Sequence, residues 1–351
     1  MFTSILSLGS GLRAHLLRLF SLTASNPIST PTTLRGEAKC RFRLDTDSSD
    51  TFTLLDGRKL GYAQYGSLTG RPILYLHGLP GSRLEAATYH DLGLELGARI
   101  VATDRPGIGW SSPHPGQTLL DLPKDLEELA KHLALSDYAI MGVSGGGPHA
   151  LACAASMSEQ LKCVSIICGL GPPDIGMSGA GWESWLGFTI GWRYSPAILL
   201  RWFFNRHLLA GRLDLTDERR LKILQSPSTL STITNEKDRE LFKDEDLMRL
   251  WLRSNRESQA QGFDGVYKDG RLMCSIWNFG IEDIRPNLPV RLWYGKHDTS
   301  VPPNHGVQIA ARLGGGERVH LRVEDDTHAS ISIYRKREQL EEILRIVERS
   351  S

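Results

Sequence analysis

The fold of this chain is decided by one stretch, Ala139-Ile140-Met141-Gly142-Val143-Ser144-Gly145-Gly146-Gly147. The short apolar run at 138–141 predicts a buried strand, because strands inside parallel sheets are apolar on both faces. Residues 149–157 are rich in Ala, Leu and Cys and predict a packed helix. Between the two lies Gly-x-Ser-x-Gly, a strand–turn–helix sharp enough to push the Ser144 hydroxyl out of the sheet.

Two other interpretations of this glycine-rich turn are an incidental serine and a phosphate-binding loop. A Walker loop ends in Gly-Lys-Ser/Thr, and a dinucleotide-binding turn has Gly where Ser144 stands, so neither phosphate loop fits. Gly142 and Gly146 are expected to be required, because a side chain at either position would collide with the neighbouring strand or helix. We therefore interpret Ser144 as a nucleophile.

A serine nucleophile needs a base and a third group that orients the base, and in this motif Asp and then His follow the serine. Asp298 leaves the predicted strand 289–294 at its carboxyl end, where open α/β sheets keep their sites. His328 follows the last predicted strand, 319–323, just ahead of a helical tail. His297 is the nearest rival base, but its position beside Asp298 fits the turn of the acid.

The electrophilic half of the site is predicted in the turn after the strand at 72–76, which reads His77-Gly78-Leu79-Pro80-Gly81. The backbone N–H of Leu79 is the candidate oxyanion donor there, since proline has no N–H to give. Gly145, the residue after the serine, supplies the second N–H. Taken alone, this segment is also compatible with an ordinary Gly/Pro turn.

Together these motifs resemble those of the α/β-hydrolase superfamily, and the resemblance runs from about Phe52 to Val347. It is strongest to Ser-type members similar to esterases and peptidases. The resemblance implies a mostly parallel eight-stranded sheet flanked by helices, with a helical cap inserted after the sixth strand. It also implies the roles of nucleophile, acid and base. The residues that carry it are His77–Gly81, Asp104–Ser111, Gly142–Gly146, Gly295–Asp298 and Thr327–His328, and the implied roles fall on Ser144, Asp298 and His328.

Two features qualify the resemblance. Asp325 and Asp326 stand beside His328, where many relatives have Gly-Glu-Gly, and two such carboxylates favour a raised pKa for the base. Asp174 occupies a region from which some relatives supply the acid, so it is the alternative to Asp298. A serine at position 144 argues against epoxide hydrolases and haloalkane dehalogenases, which attack through a carboxylate.

Composition sets limits on the function. A chain of 351 residues with 40% hydrophobic content fits one large α/β domain with an insertion. The net charge of +1 gives no reason to expect nucleic acid or an anionic surface as a partner. The five cysteines form no CxxC pair, and HxxEH-type spacing is absent from the sequence, so we expect no metal and no cofactor.

We divide the chain into a leader (1–44), an α/β-hydrolase core (45–170 and 284–351) and a helical cap (171–283). The first 36 residues contain no Asp or Glu and carry apolar residues at helical spacing, which is typical of a mitochondrial transit peptide. The alternatives are a disordered leader and a helix docked on the body, and in either case we would expect a cytoplasmic protein. No apolar run reaches the ~20 residues needed to span a bilayer.

Six of the eight tryptophans lie in the predicted cap, and its residues 237–258 predict one charged amphipathic helix. A dense apolar face of this kind would line an acyl pocket and exclude water. Alternatively, these aromatic residues pack the cap onto the core, or residues 196–210 touch a membrane or a dimer partner.

The sequence therefore predicts a cofactor-independent serine hydrolase that acts on a small or medium apolar ester, thioester or amide. Ser144 would attack, His328 would carry the proton, Asp298 would orient the base, and Leu79 and Gly145 would hold the oxyanion. The alternatives on the same scaffold are a C–C bond hydrolase or lyase and a receptor that uses the cavity to bind a ligand.

Overall fold

An eight-stranded sheet forms the centre of the molecule in the computed structural model, which describes residues 40–350. The strand order is β1-β2-β4-β3-β5-β6-β7-β8. β2 is antiparallel to both of its neighbours, and the remaining strand pairs are parallel. The strands are β1 Ser49–Thr53, β2 Lys59–Gly66, β3 Arg71–Leu76, β4 Ala98–Thr103, β5 Tyr138–Val143, β6 Leu161–Ile167, β7 Val290–Gly295 and β8 Val319–Glu324.

The central strands are buried on both faces. In β3, Ile73 and Tyr75 belong to one core cluster, whereas Leu74 and Leu76 belong to another. Because side chains alternate across a strand, these clusters lie on opposite faces of the sheet, under the helices that flank it. This double burial is why the strands are continuous apolar runs in the sequence. The predicted eight-stranded, mostly parallel sheet is confirmed.

Helices make up the rest of the regular structure. The predicted helix that follows Ser144 is confirmed. A hairpin of β1 and β2 opens the sheet, and its turn contains Gly57 at a φ of 86°. The α-helices are α1 His90–Leu96, α2 Asp121–His132, α3 Gly147–Ser156, α4 Trp182–Leu186, α5 Trp192–Tyr194, α6 Ala197–His207, α7 Asp217–Leu224, α8 Pro227–Thr232, α9 Glu236–Lys243, α10 Glu245–Ser258, α11 Asp264–Cys274, α12 Asn304–Arg312, α13 His328–Tyr334 and α14 Lys336–Ser350.

The prediction of a single helix over 237–258 was wrong. Two helices, α9 and α10, occupy this stretch, and they meet at Asp244. The Asp244 side chain accepts a hydrogen bond from the N–H of Leu247 at 3.1 Å, so it caps the start of α10. An N-cap residue has extended backbone, and this interrupts the helix although the charge pattern continues through it.

All eight α-helices from α4 to α11 lie between β6 and β7, and the described residues in this interval form no strand. We refer to residues 171–283 as the insert. The insert packs on the core where α10 contacts the 3-10 helix Arg83–Tyr89. It also supplies most of a third core cluster, around Phe242 and Leu247, which Ala329 joins from outside the insert.

The first described residues already contact the body of the protein. Arg41 forms an ion pair with Asp244, and Phe42 packs against two of the core clusters. A domain boundary at residue 44 would therefore cut contacts that begin at residue 40. The predicted targeting segment lies outside the described residues. Within 40–350, no helix combines the length and apolar character that crossing a membrane requires.

Candidate active site

Ser144 stands at the junction of β5 and α3 with a φ of 53°, in the left-handed region that non-glycine residues rarely adopt. The glycines around it permit the turn. A Cβ on Gly146 would stand 2.2 Å from the carbonyl oxygen of Leu76, and one on Gly142 would stand 2.6 Å from that of Gly146. The predicted collisions are confirmed, with β3 for Gly146 and with the start of the helix for Gly142.

Three side chains that are far apart in the sequence form one hydrogen-bonded chain. His328 Nε2 lies 2.9 Å from Ser144 Oγ, and His328 Nδ1 lies 2.7 Å from Asp298 Oδ2. Asp298 also accepts hydrogen bonds from the N–H groups of Ser300 and Val301, each at 2.8 Å. The ionised carboxylate can only accept, so Nδ1 carries the proton and Nε2 can accept the serine hydroxyl proton.

Burial lowers the pKa of His328, and the charge of Asp298 only partly opposes this effect. The expectation that the carboxylates at 325 and 326 raise this pKa was therefore wrong. Both side chains pair with groups other than the imidazole. Those partners are His297 for Asp325, and Ser330, Lys237 and Arg335 for Asp326.

The rival residues lie outside this chain of hydrogen bonds. Asp174 forms an ion pair with Arg312 at the surface, and its side chain is 63% exposed. His297 is half-exposed and its Nε2 lies 2.7 Å from Asp325 Oδ1. Neither residue contacts the groups that surround Ser144 Oγ.

The two predicted oxyanion donors are neighbours in space. A Cβ built on Gly145 would stand 3.1 Å from the backbone nitrogen of Leu79. Gly145 is the second residue of the 3-10 turn Ser144–Gly146, and the first N–H groups of a helical turn have no partner within it. The backbones of Leu79 and Gly145 therefore lie side by side next to Ser144.

A buried ion pair that the sequence analysis did not predict holds this turn. The Arg105 guanidinium donates to the carbonyl oxygens of His77 at 2.6 Å and Gly78 at 2.9 Å, and to the Asp269 carboxylate at 2.7 Å. His149, on the helix that follows Ser144, donates from Nε2 to Asp269 at 3.0 Å. Burial alone would raise the pKa of Asp269, but Arg105 and His149 outweigh it and hold that pKa well below its usual range.

Glu85 is a second residue that sequence reasoning missed. Its carboxylate accepts hydrogen bonds from the Tyr75 hydroxyl at 2.7 Å and from the N–H of Gly78 at 3.1 Å. It also lines the cavity beside Ser144. Burial raises the pKa of Glu85 in spite of these hydrogen bonds. Its place shortly after the His77–Gly81 turn was the available signal.

A cavity of about 110 Å³ reaches the Ser144 hydroxyl. The core contributes the turn at Gly78–Pro80 and the residues around His328, and the insert contributes apolar side chains from several helices. Of the insert tryptophans, Trp251 lines this cavity and Trp192 is buried, whereas three others are exposed. The main apolar side chains that line it from the insert are Phe188, Leu209, Leu224, Phe242, Met248, Trp251, Leu252 and Met273.

Cys168 completes the surroundings of the imidazole. It has a φ of 43°, and its thiol lies 3.6 Å from the carbonyl oxygen of His328. Within the described residues, Cys168, Asp298 and His328 are the only group close enough to hold a metal ion together. Both imidazole nitrogens already have protein partners, Ser144 and Asp298, so we assign these atoms to the hydrogen-bonded chain.

A family profile described as "alpha/beta hydrolase fold" matches residues 71–331 of the chain. The chain belongs to the α/β-hydrolase fold family. Its resemblance to known α/β hydrolases, as stated from the motifs, is thereby confirmed. Ser144, Asp298 and His328 all lie within the matched region.

Individual α/β hydrolases resemble this chain more distantly. A proline iminopeptidase from Arabidopsis thaliana is 32% identical over 117 residues, which make up 32% of this chain and 30% of that protein. The chain thus aligns with only about a third of the length of the curated relatives it matches. Two solved structures cover more of it. An α/β-hydrolase fold protein from Nakamurella multipartita aligns with a TM-score of 0.58 at 19% identity, over 85% of this chain and 99% of its own. A thermophilic esterase from Thermogutta terrifontis aligns with a TM-score of 0.55 at 22% identity, over 85% of this chain and 98% of its own.

Proposed function

We propose that this protein is a cofactor-independent serine hydrolase that cleaves a small or medium apolar ester, thioester or amide through an acyl-enzyme. The observation that carries the proposal is the chain of hydrogen bonds from Ser144 through His328 to Asp298. Ser144 at the end of this chain has a strained backbone conformation, and the backbone N–H groups of two neighbouring residues lie beside it. This is the arrangement that activates a weak hydroxyl nucleophile.

In the proposed reaction, Ser144 Oγ attacks the substrate carbonyl while its proton passes to His328 Nε2. Asp298 stabilises the imidazolium, and the N–H groups of Leu79 and Gly145 bind the developing oxyanion. Collapse of the tetrahedral intermediate breaks the bond to the leaving group, which takes the proton from His328. Water, deprotonated by the same imidazole, then releases the acyl group and restores the Ser144 hydroxyl.

We propose that the insert (171–283) is a cap that shapes the acyl pocket over a core made of 45–170 and 284–351. Support comes from the cavity wall, which the insert lines with Phe188, Phe242 and Trp251. Such a wall favours an apolar acyl chain and keeps water from the acyl-enzyme. Glu85 adds a carboxyl group close to the serine, so an acyl chain that carries its own carboxylate is a poor substrate.

The test is covalent labelling with a fluorophosphonate, combined with a panel of chromogenic acyl esters of increasing chain length. The wild-type protein is expected to be labelled at Ser144 and to hydrolyse neutral esters. Ser144→Ala should lose both properties. Ser332→Ala is the matched control, because Ser332 also lines the cavity but its hydroxyl donates to the carbonyl oxygen of Ala329. Labelling that survives in Ser144→Ala would place the nucleophile elsewhere.

A further inference from the structure

The insert exposes an unusual number of large apolar side chains over one short stretch. Nine of the seventeen large hydrophobic residues exposed in the described part of the chain lie between positions 182 and 203. Trp182 is 71% exposed and Ile198 is 79% exposed. We call the nine residues the 182–203 face. They are Trp182, Trp185, Leu186, Ile190, Tyr194, Ile198, Leu199, Trp202 and Phe203.

The burial pattern of α6 explains why this face is unpartnered. Only Phe204 of this helix is buried, and it packs against Trp192 and Phe263. Ile198 and Trp202 stand one helical turn apart on the exposed side. Phe204 and the half-buried Leu200 thus anchor the helix, and the rest of its apolar side chains stay in solvent. A contiguous stretch of this kind marks an interaction site on a water-exposed protein surface.

The charges around this face point to an anionic partner. Residues 182–207 contain three arginines and one acidic residue, Glu183. Arg201 forms an ion pair with Asp264, and Asp214, which pairs with Arg212, also lies within the field of Arg206. Arg193 and Arg206 are the remaining basic residues of this stretch. The net charge of the whole chain is only +1, so the overall composition does not indicate this local positive charge.

Neither a second copy of this chain nor its own N-terminal segment has a charge that complements the arginines of the face. A second copy, docked by two-fold symmetry, would set the same arginines against each other. The N-terminal segment 1–36 has arginines and no acidic residue. Tryptophan and tyrosine beside arginine are instead typical of surfaces that lie in the headgroup region of a bilayer.

We propose that the 182–203 face binds the surface of an anionic phospholipid bilayer. Its tryptophans and aliphatic side chains enter the interface, and Arg193 and Arg206 pair with lipid phosphates. The face adjoins the cavity, because Phe188, which lies between Leu186 and Ile190 of the face in sequence, lines the cavity wall. Its first helix is also tied to the loop of Asp298, where the N–H of Gly181 donates to the carbonyl oxygen of Thr299 at 2.8 Å.

The experiment is co-sedimentation of the full chain with vesicles of phosphatidylcholine and phosphatidylglycerol in equal amounts, and with pure phosphatidylcholine vesicles. The triple variant Trp182→Ser, Ile198→Ser, Trp202→Ser is expected to lower the partition coefficient by about tenfold or more. The charge variant Arg193→Glu, Arg206→Glu should remove the preference for the anionic vesicles. It leaves the apolar side chains in place, so it tests the proposal even if the triple variant folds poorly.

Matched controls separate this face from other surfaces and from catalysis. Leu55→Ser and Ile276→Ser remove side chains that are 92% and 83% exposed elsewhere, and they should leave binding unchanged. Ser144→Ala should bind vesicles like the wild type, so loss of the proposed hydrolase activity does not affect this result.

Three outcomes would overturn the proposal. The first is that the wild type does not sediment with anionic vesicles. The second is that binding survives in both the triple and the charge variant, which would assign it to residues 1–39 or to another surface. The third is that the wild type binds no vesicles and is a dimer in sedimentation velocity, which the triple variant converts to a monomer.

Discussion

Replacing Asp269 with asparagine should cost far more stability than a single polar substitution usually does. In the native protein the Asp269 carboxylate accepts hydrogen bonds from Arg105 Nε at 2.9 Å, from Arg105 Nη2 at 2.7 Å and from His149 Nε2 at 3.0 Å. All three side chains are buried. Asp269→Asn keeps the volume and removes the charge, so the Arg105 guanidinium stays buried without a counter-ion. Breaking a buried pair in this way costs about 3–5 kcal/mol.

The assay is urea unfolding followed by circular dichroism at neutral pH, with Asp264→Asn as the matched control. Asp264 begins the same helix, α11, and also pairs with an arginine, Arg201, but its side chain is 65% exposed. An exposed pair contributes at most about 1 kcal/mol. If Asp269→Asn lowered the free energy of unfolding no more than Asp264→Asn does, the reasoning would be refuted.

The pH dependence gives a second measurement of the same pair. Because the folded-state pKa of Asp269 lies below its ordinary value of 3.8, its ionised form stabilises the fold at any pH above that value. This contribution falls as the pH drops below 3.8 and the unfolded state takes up protons first. The difference between wild type and Asp269→Asn should therefore be constant near neutrality and shrink in acid. A difference that grows in acid would contradict the assignment.

Three further predictions concern the reaction and the leader. Since the pKa of His328 is lowered, kcat/KM for a neutral ester should rise with pH around a midpoint below the ordinary value of 6.5; a midpoint above it would contradict the buried, neutral base. Asp298→Asn should reduce kcat by a factor on the order of 10⁴, by analogy with serine proteases, and Asp174→Asn should have little effect; the reverse result would exchange their roles. A protein that begins at Lys39 keeps the contacts of residues 40–44, so its melting temperature and activity should match the full chain, and a clear loss would place the leader in the fold.

What the sequence could predict depended on local signals. The strands, the turn at Ser144 and the order of Asp298 and His328 follow from apolar runs and glycine spacing, which are short-range features. The division of 237–258 into two helices was missed, because Asp244 caps a helix within a run of charged residues that looks continuous.

Long-range side-chain geometry was beyond the sequence. Arg105 and Asp269 are 164 positions apart, and the sequence around either residue does not indicate that the other is its partner. The directions of side chains next to the base were equally hidden, which is why the pKa of His328 was predicted with the wrong sign. Tryptophan content, likewise, could not distinguish a cavity wall such as Trp251 from an exposed face such as Trp182.

The ion pair between Arg105 and Asp269 limits how this protein can be recombined with its relatives. Consider a graft that replaces the segment between β6 and β7 with the corresponding segment of a relative. A graft that stops before α11 retains the carboxylate that neutralises Arg105. A graft that runs through α11 removes it, and a donor without an acid at the equivalent helical position would leave a charged guanidinium buried without a counter-ion beside the His77–Gly81 turn. The exchangeable unit in this chain therefore ends ahead of Asp264.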